Sequence, residues 1–353
     1  MLSRSTRSAK RSIYFAVFTL LLFLYSTGYS TAATTEISGL LEAEMGFVSD
    51  DDGSSSDIVL ATFELGIDAE ISEWFSGHVV LLHEEDDTPL EVDQGYITFG
   101  NSFLSSFSIQ FGQQYVPFGV FETNLVSDPL TLEIAETRES AIVFAYDGDL
   151  YASFYLFNGD LLEAGGEDSI GNMGFNAGYA YEGESMSFDV GIGYINNLKD
   201  SDGLTGAIFD YRDTANEAIP DSFPTPEEVD AYVAGFTGHL VLNWGSFTFV
   251  GEMVAALDDF ATDELAPGKR KPSAGNMEFA YGISDDFVIA LAFQNTVDMG
   301  GYLPESRLLL GMSYQIDEAT SFALEFASDT GYADSEGGEG DSTTTTMQLA
   351  TEF

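Results

Sequence analysis

The segment Met347-Gln348-Leu349-Ala350-Thr351-Glu352-Phe353 decides the fold. Met347, Leu349, Thr351 and Phe353 share one parity, and Gln348, Ala350 and Glu352 take the other. Successive side chains of a strand point to opposite faces, so this segment has one oily face and one wet face. The rhythm recurs along the chain, between connections that alternate short and long. A secretory leader stands at the other end and cysteine is absent. Together these features predict an all-β protein: a transmembrane antiparallel up-and-down β-barrel of the bacterial outer membrane.

Residues 1–33 form the leader. Arg4, Arg7, Lys10 and Arg11 give it a basic start. The apolar run Ile13 to Tyr25 is shorter than the roughly 20 residues of a helical span. Small residues at Thr31, Ala32 and Ala33 mark the cleavage site. Residues 34–353 are then one barrel domain. After residue 33 no apolar run reaches the ~18 residues of a transmembrane helix. Lack of cysteine excludes a lipoprotein anchor and disulfide staples, which a closed ladder of backbone bonds does not need.

The chain carries 11 basic and 59 acidic residues; removing the leader takes 4 of the former and none of the latter, leaving a net charge of −52. That excess argues against nucleic acid and against direct attraction to anionic headgroups. It suits a surface in outer-membrane lipid that meets divalent cations bridging lipopolysaccharide, and it equally suits plainly solvated acidic loops. Runs such as Asp50-Asp51-Asp52 and Glu84-Glu85-Asp86-Asp87 lack the Gly-centred spacing of a calcium loop. The metal question therefore stays open. No cofactor is expected.

Sixteen strands are predicted, with fourteen or eighteen as the bounds: 36–47, 58–71, 76–84, 91–99, 107–115, 140–147, 150–158, 173–181, 186–196, 233–244, 247–256, 274–283, 287–295, 307–315, 321–328 and 344–353. Val59, Phe63, Leu65 and Ile67 are expected to face lipid. Glu42, Glu44, Glu64, Asp68, Glu70, Glu252, Glu278 and Glu325 are expected to face a water-filled lumen, opposed there by Arg307. Short turns such as Glu182-Gly183-Glu184 belong at the periplasmic rim, and long loops such as 197–232 outside. In that loop Thr225-Pro226-Glu227-Glu228 has the pattern of a helix start. By analogy with sixteen-stranded porins the expected assembly is a homotrimer.

By the same analogy with sixteen-stranded porins, the third long loop, 116–139, is expected to fold inward and set the constriction, where charge rings select the solute. Its candidates are Tyr115, Pro117, Phe118, Glu122, Asp128, Thr131, Glu133, Glu136, Arg138 and Glu139. Asp128-Pro129 can cap and open a short helix. Arg138 reads as an eyelet charge or as a clamp pairing with its acidic neighbours Glu136 and Glu139. Lys269-Arg270-Lys271 is the other basic island, a solvated loop tip or a contact for phosphates.

Gly112-Gln113-Gln114-Tyr115-Val116-Pro117-Phe118-Gly119, Asp128-Pro129-Leu130-Thr131-Leu132-Glu133 and Glu136-Thr137-Arg138-Glu139-Ser140-Ala141 follow one another in that order. This segment, running on to Asp160, resembles LbtU-type siderophore porins, typified by the legiobactin receptor. The resemblance implies an outer-membrane barrel taking up ferric siderophore, or a relative with a changed cargo; passive diffusion is the expected mode. Many ferric siderophores are neutral or anionic, whereas an acidic lumen favours cations. A general cation-selective porin is therefore the alternative, with a closed structural or adhesive barrel further off. An enzyme is not expected: His78, His83 and His239 are the only histidines, and no zinc-type ligand spacing occurs.

Overall fold

The computed structural model describes residues 34–51, 53–85, 88–100, 106–167, 169–215, 228–262, 264–265, 270–333, 338 and 340–353. The leader, Lys269 and residues 225–227 of the expected loop helix lie outside the described residues.

The first seven strands are β1 (Thr34–Asp50), β2 (Ser54–Glu70), β3 (Phe75–His83), β4 (Glu91–Phe99), β5 (Phe107–Tyr115), β6 (Arg138–Tyr146) and β7 (Leu150–Phe157). A two-residue β8 (Leu162–Glu163) precedes β9 (Asn172–Glu182) and β10 (Met186–Ile195). The short β11 (Glu228–Val229) precedes β12 (Gly235–Trp244), β13 (Phe247–Ala256), β14 (Ser273–Ser284) and β15 (Phe287–Val297). Last come β16 (Ser306–Gln315), β17 (Thr320–Thr330) and β18 (Ser342–Glu352). All but β8 and β11, which pair with each other in parallel, form one closed antiparallel barrel of sixteen strands. Every predicted strand has its counterpart. Closure is made by β1 against β18, from Leu40 opposite Glu352 to Asp50 opposite Ser342. Glu228, expected in a helix start, is instead a strand residue.

Alternation sends one parity out to lipid and the other inward. Ile192 and Leu310 are 49% and 57% exposed on the barrel's outer face, the surface such barrels turn to lipid. Near the short turns the outer face carries aromatic pairs, including Phe107 with Tyr146 at 4.8 Å and Phe247 with Tyr281 at 4.7 Å. They form the interfacial girdle of such barrels. At the barrel seam Gly39 and Phe353 exchange backbone hydrogen bonds, and a Cβ at Gly39 would run into the Phe353 ring. Glycine there makes the socket for the terminal aromatic.

Two expectations are corrected. The loop expected at 48–57 is largely strand, because β1 and β2 run on as a long hairpin whose ladder reaches Ser49 and Ser54. Between Glu42 and Ala43 the register shifts, since Ala61 is an extra residue in β2. A bulge of this kind reverses the facing beyond it. Val59 therefore pairs with inward Glu44, and Ile58 takes the lipid face at 67% exposure.

Part of the interior is not water-lined. Phe118 and Ile134 of the third loop, with Leu204, Ala207 and Ile208 of a helix at Asp202–Ala215, pack on wall residues Val143, Tyr155, Phe157, Ile195 and Val254 in one buried apolar cluster. This core fills the β6–β13 side and displaces the remaining lumen toward the rest of the wall.

Candidate functional site

The loop from Val116 to Thr137 leaves between β5 and β6 and crosses to the opposite wall. Its course follows from where its backbone N–H groups find acceptors. A loop away from bulk water must satisfy each of them, and three glutamates supply the partners. Glu252 of β13 accepts from the N–H groups of Val120 (2.9 Å) and Phe121 (3.3 Å) and from Thr131 Oγ1 (2.9 Å). Glu278 of β14 accepts from Thr123 Oγ1 (2.7 Å), Asn124 N–H (2.8 Å) and Asn124 Nδ2 (2.7 Å). Glu325 of β17 accepts from the N–H groups of Val126 (2.8 Å) and Ser127 (3.2 Å) and from Ser127 Oγ (2.5 Å). Gln294 of β15 takes the Leu130 N–H at 3.3 Å. Hydrogen bonds to an ionised acceptor are roughly twice as strong as neutral ones. All three carboxylates are buried.

Glu252, Glu278 and Glu325 thus lie on the inward parity, yet they hold a loop rather than present charge to a solute. Glu42, Glu44 and Glu64 are half-exposed on the β1–β2 wall, and Asp68 and Glu70 are exposed nearer the short turns. Glu44 accepts from Gln348 Nε2 at 2.9 Å, and Asp68 meets His78 Nδ1 at 2.7 Å. Arg307 is neutralised by a two-pronged pair with Asp329, Nε to Oδ1 at 2.8 Å and Nη2 to Oδ2 at 3.0 Å.

Asp128 is the loop residue that faces this wall. Its side chain is exposed to the lumen but enclosed by the barrel, and that enclosure, together with Glu42, Glu84 and Glu325, raises its carboxyl pKa. A gap between Asp128 on one side and Glu42 and Glu44 on the other is acidic on both faces. Glu122 is exposed, and Pro117 lies between Val116 and Phe118 at the root of the loop, where the Phe118 ring is buried.

Leu130 to Ala135 form the short helix. Pro129 stands at its N-cap and no side chain caps it, so Asp128 does not do so. The helix is buttressed by Asp202–Ala215: Asp202 N–H donates to the Glu136 carbonyl at 2.9 Å, and any Cβ at Gly203 would strike the Glu133 carbonyl. Enclosure, then Asp202, Asp128, Asp93 and Glu133, push the Glu136 carboxyl up to about 8. Glu139 lies near Asp160, Asp200 and Asp202.

Arg138 does not pair with Glu136 or Glu139. Its Nη1 reaches across to β4, donating to Glu91 Oε1 at 2.7 Å and Asp93 Oδ1 at 2.9 Å. Tyr115 donates to the same Asp93 oxygen at 2.9 Å. Both ends of the third loop are thereby tied to β4. Further out, Lys199 and Glu264 form a buried ion pair that joins loops 196–234 and 257–272, with Lys199 also donating to the Ala231 carbonyl at 2.8 Å.

Sequence reasoning did not find the wall cluster Tyr151, Asp189 and His239. Tyr151 Oη donates to Asp189 Oδ1 at 2.7 Å and lies 3.2 Å from His239 Nε2. The available signal was their shared inward parity, once the register is known.

No protein-family profile matches the chain. It is similar to a UPF0422 protein of Coxiella burnetii, 25% identical over 311 residues, covering 84% of this chain and 64% of that protein. A UPF0422 protein of Legionella pneumophila strain Paris is 27% identical over 165 residues, covering 43% of this chain and 30% of that one. The chain thus spans less than two thirds of these relatives' length. Among solved structures, the outer membrane channel DcaP of Acinetobacter baumannii superposes with TM-score 0.63 at 11% identity, covering 93% of this chain and all of that one. The trimer form of OmpT, an outer membrane protein of Vibrio cholerae, gives 0.55 at 13% identity, covering 92% and 100%. In fold the chain is a porin-like sixteen-stranded barrel of outer-membrane type.

Proposed function

We propose that the barrel is a passive diffusion channel whose constriction prefers cations. One observation carries this reading: half-exposed Glu42 and Glu44 and accessible Asp128 face one another across the space left beside the third loop. Unpaired carboxylates are kept only where water reaches them, and a low-dielectric wall of one sign concentrates the opposite ion. The apolar core on the other side narrows the passage without adding charge.

Uptake of a ferric siderophore is the specialised form, supported by the resemblance of residues 112–141 to siderophore porins. The acidic passage restricts that cargo to complexes that are neutral or positive overall. Assembly as a homotrimer, and divalent cations at the acidic rim, belong to the same proposal. Planar-bilayer recording tests it. A cationic or neutral ferric siderophore should block current from one side more strongly than an anionic one; block by the anionic complex alone would refute the reading.

A further inference from the structure

Four inward positions lie in one row of the barrel ladder. Tyr151 of β7 is opposite Gly178 of β9, Gly178 is opposite Gly191 of β10, and Gly191 is opposite His239 of β12. Two large side chains at the ends of the row thus lie toward each other over two residues that have none. The room is needed: a Cβ at Gly178 would collide with the Tyr151 hydroxyl, and one at Gly191 with both that hydroxyl and the His239 ring. Asp189, two residues along the same face from Gly191, completes the group.

The three donor atoms form a triangle. Its edges are 2.7 Å from Tyr151 Oη to Asp189 Oδ1, 3.2 Å from Tyr151 Oη to His239 Nε2, and 3.4 Å from His239 Nε2 to Asp189 Oδ1. Adjacent donors of an octahedral ion with bonds of about 2.1 Å are about 3.0 Å apart. The triangle therefore matches one face of a coordination octahedron, and all three residues belong to the inward parity.

We propose that Tyr151, Asp189 and His239 form a ferric-ion site on the channel wall. Phenolate and carboxylate are hard anionic oxygens, and a single imidazole is compatible with iron. Calcium takes six to eight oxygens, and zinc is bound through thiolate, imidazole and carboxylate rather than phenolate. On binding, the phenolic O–H bond breaks, its proton passes to solvent, and an iron–oxygen bond forms; no electron is transferred. The ion keeps three positions open for water or a chelator. Glu252 stands beside His239 in the register and holds Val120, so the site adjoins the anchor of the third loop. The inference holds whichever solute the channel passes.

Purified barrel in detergent, titrated with ferric nitrilotriacetate, should develop a visible phenolate-to-iron charge-transfer band at one iron per chain. Y151F should abolish the band. D189N and H239Q should weaken binding at least about tenfold, and G191A, which alters no ligand, by about 10–100-fold. Circular dichroism and heat-modifiable gel mobility should show each variant folded. A band that survives in Y151F, iron bound with no such band, or no iron bound would overturn the site.

Discussion

Removing the Glu278 carboxylate should free the middle of the third loop while leaving the barrel closed. The side chain is fully buried and takes three hydrogen bonds, from Thr123 Oγ1 at 2.7 Å, Asn124 N–H at 2.8 Å and Asn124 Nδ2 at 2.7 Å. Bonds to a charged group are worth about 1.5–3 kcal/mol each, so three give an upper limit of about 4.5–9 kcal/mol. Water entering the vacated space and bonds that are not additive reduce this to about 3–5 kcal/mol for Glu278→Ala. At about 1.4 kcal/mol per factor of ten, local opening becomes about 10²- to 4 × 10³-fold more frequent. Glu278→Gln keeps the oxygen that serves Asn124 and should lose less than half of that. Hydrogen exchange at the Asn124 and Val126 amides reads the opening directly, and open-channel current noise reads its consequence. Gel mobility should be unchanged, because no ladder bond is lost. If the alanine variant protects Asn124 as well as the parent does, the carboxylate is not what holds the loop.

Asp128→Asn should lower the cation-to-anion permeability ratio with little effect on folding, as measured by reversal potential in a salt gradient. Loop docking should weaken with rising pH. The Glu136 carboxyl is raised to about 8, above its ordinary value of 4.5, so its contribution is complete below about 4.5 and fades as pH rises through 8. Amide protection at 130–136 should therefore fall between about pH 4.5 and pH 8, by at most ~1.4 kcal/mol per pH unit per proton; a rise would contradict the assignment. Lys199→Met strands the buried Glu264 and should cost about 3–5 kcal/mol of packing between loops 196–234 and 257–272. Faster protease nicking there should report it, and K199M/E264Q, which removes the buried charge but keeps an acceptor beside the Asp230 and Ala261 N–H groups, should recover part of the loss.

The barrel was legible because its signal is local. Period-two alternation needs only neighbours in sequence, and it located all sixteen strands. What broke it was also local but silent: Ala61 is an extra residue whose small apolar side chain fits either face, so nothing in the sequence moved Val59 inward. The third loop's inward fold was legible only by analogy with sixteen-stranded porins, once the strands were counted. Its anchors were not, because backbone N–H groups meeting carboxylates more than a hundred residues away leave no mark in the sequence. Glu252, Glu278 and Glu325 look the same on paper as Glu42 and Glu44, though the first three are buried under a loop and the others face water. For Arg138 the nearest acids in sequence misled: strand direction carries its guanidinium across to Glu91 and Asp93. The helix at Asp202–Ala215 was obscured by Gly203 and Gly206, which lower helix propensity, although Leu204, Ala207 and Ile208 had helical spacing.

The central claim is that a pinned loop and an acidic wall leave a water-filled passage that favours positive ions. The sign of the reversal potential across a planar bilayer in a tenfold potassium chloride gradient tests it most directly. The account predicts a potential close to the potassium equilibrium value, collapsing toward zero when Asp128, Glu42 and Glu44 are neutralised together. A potential near the chloride value, or no conductance from correctly folded barrel, would contradict it.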